Sequence, residues 1–267
     1  SSRRRHTRYP LVTGVQTCAL PIYKLKHMEK ITITRGEDLK FNDSIMRPMK
    51  TNSELDTILS ETGGLMPATN MVIAGGAGSG KTTLTLDMLA RLTAEGYKTL
   101  FISAEMDEIG YFKYCKRLPN IAKVPVFFVK NHADTLAKTL IDVLNEGYDV
   151  VAIDNVAEVL GMFRDVYKTT EVAGERWLLE LQDKHKMGKN KTNTHTCFIN
   201  IQQVTKAGQF AGSNRLKHMT DAMAIIKRDA DTAERRLQFE KNRDGNTDQV
   251  VTFRIASDSV LYGFESI

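Results

Sequence analysis

The sequence predicts an α/β fold with a mostly parallel central sheet flanked by helices and an antiparallel hairpin extension at its C-terminal end. Three observations carry this expectation. Short apolar runs alternate with amphipathic stretches from Met71 to about residue 202. A glycine-rich phosphate-loop motif joins the first run to the first stretch. After Thr220 the spacing changes to strand-like runs separated by short gaps.

The apolar runs are MVIAG (71–75), TLFISAE (99–105), VFFV (126–129), VVAID (150–154) and CFINIQ (197–202). Runs without polar alternation suit strands buried on both faces, as in a parallel sheet covered by helices. Segments 81–95, 107–118 and 133–146 are long enough for crossover helices, and a longer one, about 171–188, precedes the fifth run. AMAIIKR (222–228), RRLQFEKNR (235–243) and QVVTFRIA (249–256) then predict antiparallel strands, with a turn at Asp244-Gly245-Asn246. The polar stretch 184–195 predicts an exposed loop.

Residues 75–82, GGAGSGKT, match the pattern G-x-x-x-x-G-K-[ST] between a strand and a helix. Gly75, Gly76, Ala77, Gly78, Ser79 and Gly80 supply a loop whose backbone N–H groups can turn around phosphates. Lys81 reaches the β- and γ-phosphates, the Thr82 hydroxyl ligates Mg²⁺, and Thr83 continues the helix N-terminus that favours an anion. ATP and Mg²⁺ are therefore the expected cofactors.

Two carboxylates stand where a phosphoryl-transfer site needs them. Asp154 closes VVAID and can hold the metal directly or through its water. Glu105, in ISAEM, can polarise the attacking water. Read singly, Asp154 is also a possible strand cap and Glu105 a helix-start acid. Gln203, after CFINIQ, suits a γ-phosphate sensor or an ordinary polar strand end.

These residues carry a family pattern. SELDTILSETGGLMPATNMVIAGGAGSGKTTLTLDML (53–89), ISAEM (102–106), VVAIDNV (150–156), QQVTKAGQFAGSNRLKHMTD (202–221) and KNRDG (241–245) occur in order. Together they resemble the ATPase core of the RadA/Sms DNA-repair proteins and, more broadly, the DnaB-type helicases of the RecA-like class, across roughly residues 50–257. The resemblance implies a RecA-like P-loop NTPase acting on single-stranded DNA in recombination, repair or replication. It also implies a homo-oligomeric ring, with a hexamer as the family expectation. Lys241 and Arg243 would then reach a neighbour's γ-phosphate; alternate residues on one strand face would act together. Lys206, Arg215 and Lys217, in the loop 204–219, would contact single-stranded DNA. Without the resemblance, 241 and 243 read as solvated charges beside a turn, and 204–219 as a flexible loop. The alternative function is a nucleotide-switched ring or assembly protein of the KaiC-like kind, with little DNA dependence.

The sequence departs from the family in three respects. Asn214 stands where an arginine is expected, no C-x-x-C zinc module occurs, and neither a protease-like C-terminal domain nor a DnaB-type N-terminal domain is visible. A core-only protein, phage-encoded or from a mobile element, or else a truncated reading frame is the expectation, with replication or recombination partners supplied by the host or phage.

Residues 1–22 contain Arg3, Arg4, Arg5 and Arg8 and no acid, and resemble a translated sequencing-adaptor peptide. They are read as a non-native leader, 23–52 as an N-terminal extension and 53–267 as the ATPase core. Without the leader the chain carries 33 basic and 32 acidic residues, so overall charge gives no argument for nucleic acid. No apolar run approaches a membrane span, and Cys18, Cys115 and Cys197 form neither a zinc spacing nor a disulfide framework. A cytoplasmic setting without membrane contact is expected. Trp177 is expected in the core, and Tyr111, Phe112 and Tyr114 in packing or a subunit contact.

Overall fold

The computed structural model describes residues 33–204 and 214–263, with the side chains of 214–216 left undescribed. The chain falls into two compact units, one ending at Phe41 and the other beginning at Asn42. The described part of the first, residues 33–41, carries one 3-10 turn, Gly36–Asp38, and is exposed.

The second unit holds a nine-stranded sheet among the described residues. Its strands are β1 (Asn70–Gly75), β2 (Thr99–Ser103), β3 (Val126–Phe128), β4 (Val150–Asp154), β5 (Cys197–Gln203), β6 (Ala222–Arg228), β7 (Arg235–Asn242), β8 (Val250–Ile255) and β9 (Val260–Tyr262), in the order β3-β2-β4-β5-β1-β6-β7-β8-β9. The strands from β3 to β6 in that order pair in parallel, and β7, β8 and β9 are added antiparallel. The expected architecture is thus present, and β9 is an addition to it.

The helices are α1 (Asp56–Leu59), α2 (Lys81–Ala94), α3 (Glu108–Arg117), α4 (Leu136–Leu144), α5 (Val156–Tyr167), α6 (Glu171–Lys186) and α7 (Asn214–Met219). Strand alternation divides the core between the two faces. Met71 and Ile73 of β1 join Leu84, Leu86, Met88 and Leu89 of α2, with Tyr111 of α3. On the opposite face Ile102, Val151, Ile153 and Phe198 pack with Leu136, Leu140, Val159, Leu160 and Leu178 of α4, α5 and α6.

Two expectations need correction. The crossover before β5 is a helical hairpin: α5 precedes the expected helix. Asn155 caps α5 by accepting from the Glu158 N–H at 2.9 Å, and Thr170 caps α6 by accepting from the Ala173 N–H at 3.2 Å. Gly174 permits close packing, because a Cβ there would lie 3.2 Å from Phe163, whose ring stacks on Trp177 at 4.4 Å. The stretch 184–195 is also not wholly a loop: α6 runs through Lys186, and His185 is fully buried.

Candidate nucleotide-binding site

The phosphate loop leaves the C-terminal end of β1 and enters α2. Gly78 and Gly80 have φ of +70° and +96°, backbone that residues with a Cβ rarely adopt. Gly75 meets a second demand: a Cβ there would lie 2.6 Å from Ser79 Oγ and 2.8 Å from the Ile226 carbonyl. Lys81 Nζ donates to the Gly75 and Gly76 carbonyls, each at 2.9 Å. Burial lowers its pKa, against the opposing charges of Asp154 and Glu105.

Parallel register brings the remaining groups to the same sheet edge. Gln203 pairs with Gly75 across β5 and β1, and Asp154 pairs with Ser103 across β4 and β2. The Asp154 carbonyl accepts from the N–H groups of Ala104 and Glu105 at 2.7 and 3.2 Å. Glu105 therefore lies two residues past the end of β2, still beside Asp154. Thr82 Oγ1 donates to Asp154 Oδ2 at 2.6 Å. Burial pushes the Asp154 carboxyl up to about 6; the Thr82 hydrogen bond and Lys81 oppose the rise, and the Glu105 charge adds to it.

These groups line a cleft of about 550 Å³. Ala77, Gly78, Gly80, Lys81, Thr82, Thr83, Glu105, Asp154 and Gln203 are all on its wall. A hydroxyl, a carboxylate, an amine and a second carboxylate on one cleft can hold a divalent cation and polyphosphate and accept a proton from water.

Sequence reasoning passed over several wall residues. Asn155 Nδ2 donates to Glu105 Oε2 at 2.7 Å and so fixes that carboxylate. Its position directly after Asp154 was the available signal. Tyr114, expected in packing, also lines the cleft, as do Arg117, Arg235 and Ile255. No sequence motif marks Arg235, which reaches the cleft through the β6–β7 hairpin.

Lys241 and Arg243 are brought together, at the other edge of the sheet. Lys241 pairs with Met223, which pairs with Val72 of β1, so it sits two strands across from Gly75 and about 10 Å back along the strand direction. The shared-face argument is corrected: β7 ends at Asn242, and Arg243 lies in the turn beyond it. Segment 217–221 joins the two side chains instead. Lys241 Nζ donates to the carbonyls of His218 at 3.1 Å and Thr220, and Arg243 Nη1 donates to Asp221 Oδ1 at 3.1 Å. Lys217 pairs with Glu240 at 3.3 Å. Lys206 and the side chain of Arg215 lie outside the described residues.

Comparison with known proteins agrees with this geometry. A family profile described as ATPase: KaiC matches residues 49–120. The chain is 27% identical over 255 residues to the DNA repair protein RadA of Campylobacter jejuni, covering 92% of this chain and 54% of that protein. It is 27% identical over 225 residues to RadA of Streptococcus pyogenes, covering 82% of this chain and 46% of that protein. The chain thus spans about half the length of the curated relatives it matches. In fold it is similar to a KaiC-like protein from Pyrococcus horikoshii, with a TM-score of 0.59 at 16% identity over 81% of this chain and 99% of that one. It is similar in the same way to the RadB recombinase, with a TM-score of 0.58 at 17% identity over 79% and 98%. Among the described residues no helix is long and apolar enough to cross a membrane. The match to RadA across most of the chain, the profile over its phosphate loop and the likeness in fold to the RadB recombinase together support a RadA-like, RecA-fold ATPase.

Proposed function

We propose that the chain binds Mg²⁺-ATP in this cleft and hydrolyses it as the motor core of a RadA/DnaB-type homo-oligomeric ring acting on single-stranded DNA. The observation that carries the reading is the convergence of Lys81, Thr82, Asp154 and Glu105, from three separate strand ends, on one cleft.

The residues fit the nucleotide and its metal. Ser79 Oγ is buried in the loop without a hydrogen-bond partner, as suits a hydroxyl beside a phosphate. Thr82 Oγ1 and Asp154 Oδ2 already lie 2.6 Å apart and are hard oxygen donors of the kind Mg²⁺ prefers. Bound Mg²⁺ supplies charge neutralisation at the β- and γ-phosphate oxygens. Lys81 exchanges the carbonyls of Gly75 and Gly76 for those oxygens. Glu105, held by Asn155, orients water and accepts its proton. Gln203, beside Gly75, reports the γ-phosphate toward the residues that follow β5.

Lys241 and Arg243, remote from their own cleft, act on the neighbour's γ-phosphate and make turnover depend on assembly. Lys206, Arg215 and Lys217 serve DNA in the ring channel. The similarity to the DNA repair proteins RadA supports work in DNA repair; recombination and a bacterial cytoplasm belong to the same reading.

Steady-state ATP hydrolysis with and without single-stranded DNA, beside Lys81→Ala and Arg243→Ala, tests the reading. DNA-stimulated turnover lost in both variants is expected. Turnover indifferent to DNA, or unchanged by Arg243→Ala, would instead favour a nucleotide-switched assembly protein, a reading that the KaiC-type profile also supports.

A further inference from the structure

Asp221 directly precedes β6, and α6, β1 and the turn after β7 all meet at its side chain. Oδ2 accepts from the Asn70 N–H at 2.9 Å, at the start of β1, and from Lys186 Nζ at the end of α6. Oδ1 accepts from Arg243 Nη1 at 3.1 Å. The main chain is tied at the same point. The Asp221 N–H donates to the Asn70 carbonyl at 2.7 Å, and the Arg243 N–H donates to the Asp221 carbonyl at 3.2 Å.

The two cations on this carboxylate serve different ends. The Asp221 side chain is 10% exposed, so its charge needs a partner inside the protein. Lys186, itself 25% exposed, and the Asn70 N–H supply that need. Arg243 is not required for it. Its side chain is 62% exposed, and an ion pair so open to water adds little to stability. What the contact does is restrict a long, mobile side chain to one orientation while leaving most of it accessible. Lys241 belongs to the same arrangement, with its Nζ on the His218 and Thr220 carbonyls. Burial and the Arg243 charge lower its pKa, and the Asp221 charge opposes them. Two cations meant for one phosphate repel each other, and a carboxylate close to both offsets that repulsion.

We propose that Asp221 is a positioning residue for the cation pair: through Oδ1 it aims the Arg243 guanidinium at the cleft of a second copy. The proposal rests on the function in trans proposed above for Lys241 and Arg243. A guanidinium placed before the neighbour docks loses less freedom when it meets the phosphate, which is where catalysis by positioning gains its rate. Lys186 makes the device workable. It keeps the Asp221 charge balanced when Arg243 turns from the carboxylate toward phosphate.

The test is steady-state ATP hydrolysis by the full chain with single-stranded DNA present, for single variants and for mixtures of subunits shown to co-assemble. Asp221→Asn keeps an acceptor for the Asn70 N–H and removes the charge. It should lower kcat about tenfold or more, with KM for ATP within about twofold of wild type. Asp221→Glu keeps the charge and displaces it by one methylene. It should show a milder loss of about threefold in the same pattern, and it carries the comparison if the asparagine variant does not fold. The double variant Asp221→Asn/Arg243→Ala should stay within about twofold of Arg243→Ala, because Asp221 acts through Arg243. Mixed with Lys81→Ala, Asp221→Asn should recover turnover to the extent that Arg243→Ala does, since its own cleft is intact. Mixed with Arg243→Ala it should gain nothing over the mean of the two, since both defects lie on the same side of the contact. Wild-type turnover in a folded Asp221 variant would overturn the proposal. So would a defect that Lys81→Ala subunits fail to relieve while they relieve Arg243→Ala, which would assign Asp221 to its own subunit's fold. Failure of Lys81→Ala to relieve Arg243→Ala would instead sink the reading in trans, and this proposal with it.

Discussion

Asp154 combines a demand of chemistry with a cost in stability. Its carboxyl is buried beside Glu105, and its folded pKa, about 6, lies above its unfolded value near 3.8. The folded protein therefore holds the proton more tightly, and stability falls as pH rises from about 4 to about 6. Asp154→Asn should raise the urea stability of the nucleotide-free protein at pH 8 by about 1–3 kcal/mol and give no gain at pH 4. Equal effects at both pH values would disprove the account of its burial. Glu105→Gln keeps the Asn155 contact but cannot accept a proton. Nucleotide binding should persist while turnover falls by about 10²-fold or more, measured as phosphate release beside a binding titration. Such roles were partly legible in the sequence. Gly75 to Thr82 lie together in the chain, so their chemistry reads locally. Asn155 acts on Glu105, fifty positions earlier, and only the pairing of β2 with β4 joins them.

At the scale of elements, the buried β runs and α2 were legible because they are continuous and apolar. The α5–α6 hairpin was half missed, since α5 follows Asp154 directly with no intervening loop to announce it. Its apolar stripe, Val156, Val159, Leu160 and Phe163, has helical spacing and was the available signal. The union of β1, β5 and α6 depends on a ring of amides that sequence pattern cannot display. Asn70 Nδ2 donates to Gln182 at 2.9 Å, Gln182 Nε2 to Asn200 at 2.7 Å, and Asn200 Nδ2 to Asn70 at 2.7 Å. Asn200→Ala should cost about 2–4 kcal/mol in urea denaturation, because it strands two buried amides and opens a cavity. A loss under about 0.5 kcal/mol would show that the ring contributes little. His185, near the end of α6, is buried with both ring nitrogens unpartnered. Burial, aided by the Lys184 charge, lowers its pKa to about 4 from 6.5. Its contribution is complete above pH 6.5 and is lost as pH falls through about 4, by up to about 3 kcal/mol. His185→Leu should flatten the stability profile between those values; an unchanged profile would assign the acid sensitivity elsewhere.

At the scale of the whole molecule, the two edges of one sheet carry different equipment. The C-terminal ends of β1, β2, β4 and β5 frame the cleft, whereas Lys241 and Arg243 gather near segment 217–221 at the opposite edge. The KNRDG segment was legible as a motif, but its division of labour was not. Asn242 donates to the carbonyls of Ile58 and Leu59 at 3.1 and 3.2 Å, and Asp244 accepts from Thr69 at 3.0 Å, so these two residues bind the turn to the core. The two cations lie at the wrong edge for their own cleft, and the proposed function assigns them to a neighbour's. The most direct test mixes Lys81→Ala, which has an intact cation pair and a disabled loop, with Arg243→Ala, which has the reverse. Each alone should be nearly inactive in ATP hydrolysis. The mixture should recover a substantial share of wild-type turnover, because some clefts of Arg243→Ala copies meet the intact arginine of Lys81→Ala copies. A mixture as inactive as its parts, from subunits shown to co-assemble, would contradict a site completed by a second copy.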